Sequence, residues 1–170
     1  PYTVFTPYKR AWLAQLASLQ VRAYPVQRYR QALAPGTTDR MPALEQLGFR
    51  PTNLMNMALP LGMSGAQRLF RDFLDRIDGY REHRDYPAVR GVSYLSVHLR
   101  FGTLSIRELV AAAVSINTPG AQSWLSELVW REFYFAILHH FPHVAAGAFR
   151  PEYDAIRFPN RQDHLAAWCE

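Results

Sequence analysis

The sequence predicts an all-α fold, a helical bundle fragment preceded by an irregular N-terminal segment. Three observations carry that expectation. Ala66, Leu69, Phe70, Phe73, Leu74 and Ile77 recur at three- and four-residue spacing; helix start signals stand at Ser105 and at Pro119; and no polar and apolar alternation runs long enough for a strand.

The elements follow in order along the chain. In "FTPYKRAWLAQL", Thr6 is placed to cap a helix and Pro7 to occupy its first position. Prolines at 25, 35, 42, 51 and 60 then interrupt the chain, so residues 1–62 are expected to be an interdomain linker with short helices such as "MPALEQLGF". Residues 63–170 are expected to form the helical domain. Its first helix runs from Ser64 to Gly79, where glycine ends it. In "GVSYLSVHLRFGTLS", residues 91–105, Ser93 and Ser96 stand at the entrance of a short apolar turn that closes at Gly102. Their hydroxyls can cap it, and the same free amides can hold an anion. Ser105 and Glu108 of "SIRE" make a capping box ahead of "LVAAAV". The longest helix follows Pro119 and Gly120 and runs to about Phe141, and "DHLAAWCE" carries a helical pattern to Glu170. With no methionine before Pro1 and no stop signal at Glu170, the chain is expected to be a piece of something longer.

Composition narrows the function classes. A chain of 170 residues that is 49% hydrophobic has material for a core. It lacks an apolar run of membrane-spanning length and a secretion signal, so the expectation is a soluble, cytoplasmic protein with no membrane partner. The lone Cys169 excludes an internal disulfide, and no Cys/His group has zinc spacing, so no metal is expected. A net charge of +5 suits a polyanionic partner such as nucleic acid, and equally a solvated basic face.

Residues 124–134, "WLSELVWREFY", concentrate chemistry on one helix. At 100° per residue, Trp124, Trp130, Arg131 and Tyr134 fall within roughly 60° of Glu127, while Leu125, Leu128, Val129, Phe133 and Ala136 fall outside that arc. A plain account is an i,i+4 ion pair of Glu127 with Arg131, worth about 0.3–0.5 kcal/mol, with aromatic residues at the edge of the core. Two indoles flanking that pair also suit a site for stacked bases or another planar ring.

Taken in order, "YREHRDYPAVRGVSYLSVHLRFGTLS", "WLSELVWREFY" and "HLAAW" resemble the FAD-binding domain of the DNA photolyase and cryptochrome family, and "VFTPYKRAW" resembles the linker that precedes it. The resemblance implies FAD as cofactor, held by Tyr80, Ser93, Leu95 and Ser96 at its phosphates and by Trp124 and Arg131 at the pocket wall. It implies UV-damaged DNA as partner, with Glu127 hydrogen-bonded to a pyrimidine dimer and Trp130 packing against it once flipped from the stack; Arg131 and Tyr134 join these two as expected DNA contacts. Light-driven repair is the implied activity, with Glu127 and Trp130 as catalytic residues.

Departures from the family pattern are informative. The usual loop threonine is Val92, which leaves only a backbone amide for phosphate, and Phe158 replaces the outermost tryptophan of an electron-transfer chain. The second, antenna chromophore is expected on an N-terminal domain outside this chain. A half pocket is expected to hold FAD weakly and to expose Trp124, Trp130 and Tyr134 as a stripe that favours self-association. Alternatives are a cryptochrome-type blue-light photoreceptor and a light-independent helical nucleic-acid-binding domain.

Overall fold

A computed structural model describes residues 1–19, 21–36 and 40–169, with the side chains of residues 54 and 55 outside that description. Its helices are α1 (Phe5–Ala17), α2 (Gly62–Leu74), α3 (Tyr80–His83), α4 (Ser96–Phe101), α5 (Ile106–Ile116), α6 (Pro119–His140) and α7 (Gln162–Cys169). Short 3-10 turns join them, and no strand occurs among the described residues. No helix there is long and apolar enough to cross a membrane. The chain divides into two compact units, Leu13–Leu128 and Pro1–Trp12 with Val129–Glu170. Helices α1 and α6 each contribute residues to both.

The larger unit has a core built on α2, α5 and the first half of α6. Helix α2 buries Ala66, Phe70 and Phe73, spaced four and three apart so that they share one face. Helix α5 buries Leu109, Val110 and Ala113, and α6 adds Ala121, Trp124, Leu125 and Leu128. Burying each large apolar side chain stabilises the fold by about 1.5–3 kcal/mol, which is why these periodic residues define the helices. The start of α6 is seated closely: a Cβ on Gly120 would collide with the backbone carbonyls of Ile77 and Asp78. Thr118 caps this helix, its hydroxyl accepting from the Ala121 amide at 3.3 Å and donating to Asp78 Oδ1 at 2.6 Å.

In the smaller unit, Phe5 and Tyr8 of α1 meet Phe133 of α6 with ring centroids 5.8 and 5.2 Å apart. Trp12 Nε1 donates to Glu132 Oε2 at 2.9 Å. Beyond α6, Phe141, His143 and Phe149 form a second ring cluster.

Several local expectations are corrected. Helix α1 starts at Phe5, so Thr6 and Pro7 lie inside its first turn, where proline's missing N–H costs nothing. Helix α2 ends at Leu74 and a separate 3-10 turn spans Ile77–Gly79; Ile77 is buried in either arrangement, so apolar spacing cannot distinguish them. Ser105 is the N-cap of α5 by position but its side chain makes no cap bond, and the Glu108 carboxylate, which a capping box would turn back to the Ser105 amide, accepts instead from Gln67 Nε2 of α2 at 3.0 and 3.2 Å. The N-cap of α4 is Leu95, and neither Ser93 nor Ser96 caps that helix. Cys169 ends α7, and Glu170 lies outside the described residues.

Candidate functional site

Within the larger unit, Phe73 joins the two aromatic residues expected near a ring-shaped ligand. Its ring lies 5.7 Å edge-on from Tyr80 and 4.8 Å from Trp124. Trp124 is 3% exposed and also touches Phe70, so its indole is core material whose rim alone is left for a ligand. Tyr80 opens α3 and is buried apart from its edge. Its phenol is held above the usual tyrosine range, first by burial and then by the charge of Glu127.

The loop from Arg90 to Ser96 follows. Leu95 is fully buried and anchors it, so what Leu95 presents to a ligand is backbone. Ser93 is half-buried, and its hydroxyl oxygen accepts a long bond from the Leu95 amide at 3.4 Å. Ser96 and Val92 are exposed. Tyr94 sits at φ +56°, a left-handed conformation that costs a non-glycine residue roughly 1–2 kcal/mol. The loop tolerates it because it is clasped from the end of α2 and the turn that follows it. Arg76 Nη1 donates to the carbonyls of Arg90 at 2.5 Å and Val92 at 3.0 Å, while Asp72 Oδ2 accepts from Arg76 at 3.1 Å and from Arg90 at 3.0 Å. Two guanidiniums thus share one carboxylate beside the loop, leaving a positive balance there.

Glu127 has a partner that no helix wheel contains. Arg84, at the end of α3, pairs its Nη1 with Glu127 Oε1 and lies 5.8 Å over the Tyr80 ring. The hydrogen bond to Glu127 raises the Arg84 pKa further above its ordinary value, so the guanidinium keeps its charge. Glu127 remains over a third exposed. It is a fixed, hydrated carboxylate with one oxygen engaged.

In the smaller unit, Phe5 stacks on Trp130 at 3.5 Å with an 8° interplanar angle, and Tyr134 stacks at 5.5 Å and 22°. Arg131 lays its guanidinium 4.5 Å over Phe135. The expected solvent-facing stripe is therefore corrected: Trp124 is buried, Trp130 is half-covered by a residue of α1, and Tyr134 alone of the three stands open, at 62% exposure.

Residues missed from sequence include Phe73, Arg84, Arg76, Asp72 and Phe5. Arg84 had a signal, since it stands at i+4 from Tyr80. Arg76 had one for its carboxylate, since Asp72 stands four residues before it, but none for the loop carbonyls it holds, and Phe5 had none, because Trp130 is distant in sequence.

With that geometry in view, comparison with known proteins is informative. Residues 124–170 match the family model described as the FAD binding domain of DNA photolyase. The chain is 33% identical to the deoxyribodipyrimidine photo-lyase of a Synechococcus strain, over all of this chain and 38% of that protein. It is 32% identical to the enzyme of that name from Escherichia coli, over 99% of this chain and 36% of the relative. For the Neurospora crassa protein of the same name the identity is 30%, over 99% and 31%. The chain thus spans less than two fifths of the length of these relatives.

Proposed function

The chain belongs to the DNA photolyase family, and from that premise we propose that it contributes part of the FAD site and part of the lesion site of a light-driven enzyme that repairs cyclobutane pyrimidine dimers in DNA. The observation that carries this reading is the Arg84–Glu127 pair over Tyr80, which presents a charged acceptor beside an aromatic edge.

The residues suit a flavin dinucleotide. The first-turn amides of α4 have no side-chain cap, and the Ser93 and Ser96 hydroxyls stand at that turn. Together with the positive balance of Arg76, Arg90 and Asp72, they offer a diphosphate both donors and charge. Tyr80, Val92 through its amide and Leu95 through its backbone complete that edge, with the rim of Trp124 beside them. Bound there in its reduced form, FAD would supply, under blue light, the electron needed to open the two cyclobutane bonds of a dimer.

The chain's own share is binding and electrostatics. One Glu127 oxygen is engaged by Arg84, and the other is available to accept a hydrogen bond from a pyrimidine N–H; keeping that acceptor fixed is Arg84's task. Trp130 offers an indole edge, stiffened by the Phe5 stack, for an extruded dimer, with Arg131 and Tyr134 contacting the strand beside it. Residues 1–62 serve as the linker to a domain that carries the second chromophore.

The test uses a full-length protein containing this chain, purified with its bound flavin, and an oligonucleotide carrying a cyclobutane dimer. Clearance of dimers under blue light alone supports repair. Bound flavin with no clearance selects the cryptochrome-type photoreceptor, and light-independent DNA binding without flavin overturns the reading.

A further inference from the structure

Away from the residues assigned above, the larger unit has an open surface pocket of about 370 Å³ lined by Arg22, Ala23, Tyr24, Pro25, Arg28 and Arg107. Three of the six lining residues are arginines and none is acidic. Among the described residues, Arg22, Arg28 and Arg107 form no ion pair, although every other cluster of guanidiniums described above has a carboxylate in it.

The cluster is held in place. Arg107 Nε donates to the Arg22 carbonyl at 2.8 Å, and its guanidinium lies 4.7 Å over the Tyr24 ring. Arg28 Nη2 donates to the Tyr29 hydroxyl at 2.6 Å, and its guanidinium covers the Tyr29 ring at 4.8 Å. One donor of Arg107 and one of Arg28 are thereby spent on orientation, leaving the rest of each of these two forks for a ligand. Arg107 also occupies the second position of α5, where the first-turn carboxylate Glu108 is bonded to Gln67 of α2.

Like charges converge at a cost unless an anion offsets them, and planar guanidinium forks match the tetrahedral oxygens of phosphate. The volume exceeds what a single ion needs and is of the size that holds a small ligand. We propose that this pocket is a phosphate-binding site, occupied by the phosphate groups of a small phosphorylated molecule or of a nucleic-acid backbone. The proposal is independent of the flavin and lesion reading.

Calorimetric titration of the 170-residue chain tests it, with inorganic pyrophosphate and a short undamaged DNA duplex as separate probes at fixed ionic strength. Arg107→Gln and Arg28→Gln are each expected to weaken binding of at least one probe by about tenfold, the loss expected for a hydrogen bond to a charged group. Arg107→Lys is expected to recover part of that loss, since it keeps the charge without the fork. If only pyrophosphate binding falls, a small phosphorylated ligand is the occupant. If duplex affinity falls together with its salt slope, by about one per arginine removed, the backbone is the source. Far-UV circular dichroism checks each variant, and the exposed Arg28→Gln carries the test should Arg107→Gln unfold. Absence of binding to both probes, or affinities unchanged in both glutamine variants, overturns the proposal.

Discussion

Replacing Glu127 by glutamine keeps the side chain's size and one carbonyl acceptor while removing its charge, so it separates structural from chemical importance. The structural stake is small. Arg84 and Glu127 side chains are 33% and 38% exposed, which places their pair among screened surface bridges worth about 0.2–1 kcal/mol. For a chain of this length that corresponds to a fall in melting temperature of no more than about 4 °C. The chemical stake is larger. A hydrogen bond to a charged acceptor is worth about 1.5–3 kcal/mol, which translates into a loss of repair efficiency of roughly tenfold to a hundredfold. Thermal melts of the chain measure the first quantity, and dimer clearance under blue light by the full-length variant measures the second, with flavin absorbance as control. A double-mutant cycle with Arg84→Gln is expected to return a coupling of about 1 kcal/mol or less for stability. A coupling several times larger, or normal repair by the Glu127→Gln enzyme, would refute the assignment and make this pair a structural tie.

The other predictions follow from the same contacts. Ser93→Ala with Ser96→Ala is expected to loosen flavin yet cost less than about 1 kcal/mol in urea unfolding, since neither serine caps α4; a variant that melts early and keeps its flavin would contradict this. Gly120→Ala is expected to destabilise the fold by about 2 kcal/mol or more in the same assay, because overlap with the Ile77 and Asp78 carbonyls outweighs the helix preference for alanine of about 1 kcal/mol; a stabilised variant would mean that α6 is seated differently. The raised Tyr80 pKa contributes stability that is complete below the unfolded-state value near pH 10 and is lost as pH climbs through the folded value, so melts between pH 8.5 and 11 should fall less steeply for Tyr80→Phe.

Regular helices were legible where local periodicity and burial agree. Helix α6 occurs where expected but takes in Pro119 and Gly120, which the sequence places just ahead of it, and α5 starts after Ser105. Capping was less legible, because a hydroxyl at the right offset competes with other partners. Glu108 finds Gln67 on α2, 41 residues away, and a capping box becomes a tie between two helices. Thr118 does cap α6, though it stands ahead of a Pro-Gly pair that reads first as a loop.

The candidate site divides along the same physical line. Chemistry-bearing residues of "WLSELVWREFY" are visible in sequence because they share one helix, where neighbours lie three or four positions apart. What sets the state of each comes from elsewhere in the chain. Phe73 makes Trp124 core rather than open wall, Arg84 fixes the Glu127 carboxylate, and Phe5 covers Trp130, from sequence separations of 51, 43 and 125 residues. A helix wheel treats every residue on the polar arc as equally available. The packed structure ranks them: Trp124 contributes little more than an edge, Glu127 is held but wet, and Tyr134 is open. That ranking bears on how the site operates, since a residue committed to the core cannot reorient for a ligand, whereas a solvated carboxylate anchored at one oxygen can accept a bond at the other without reorganising its surroundings.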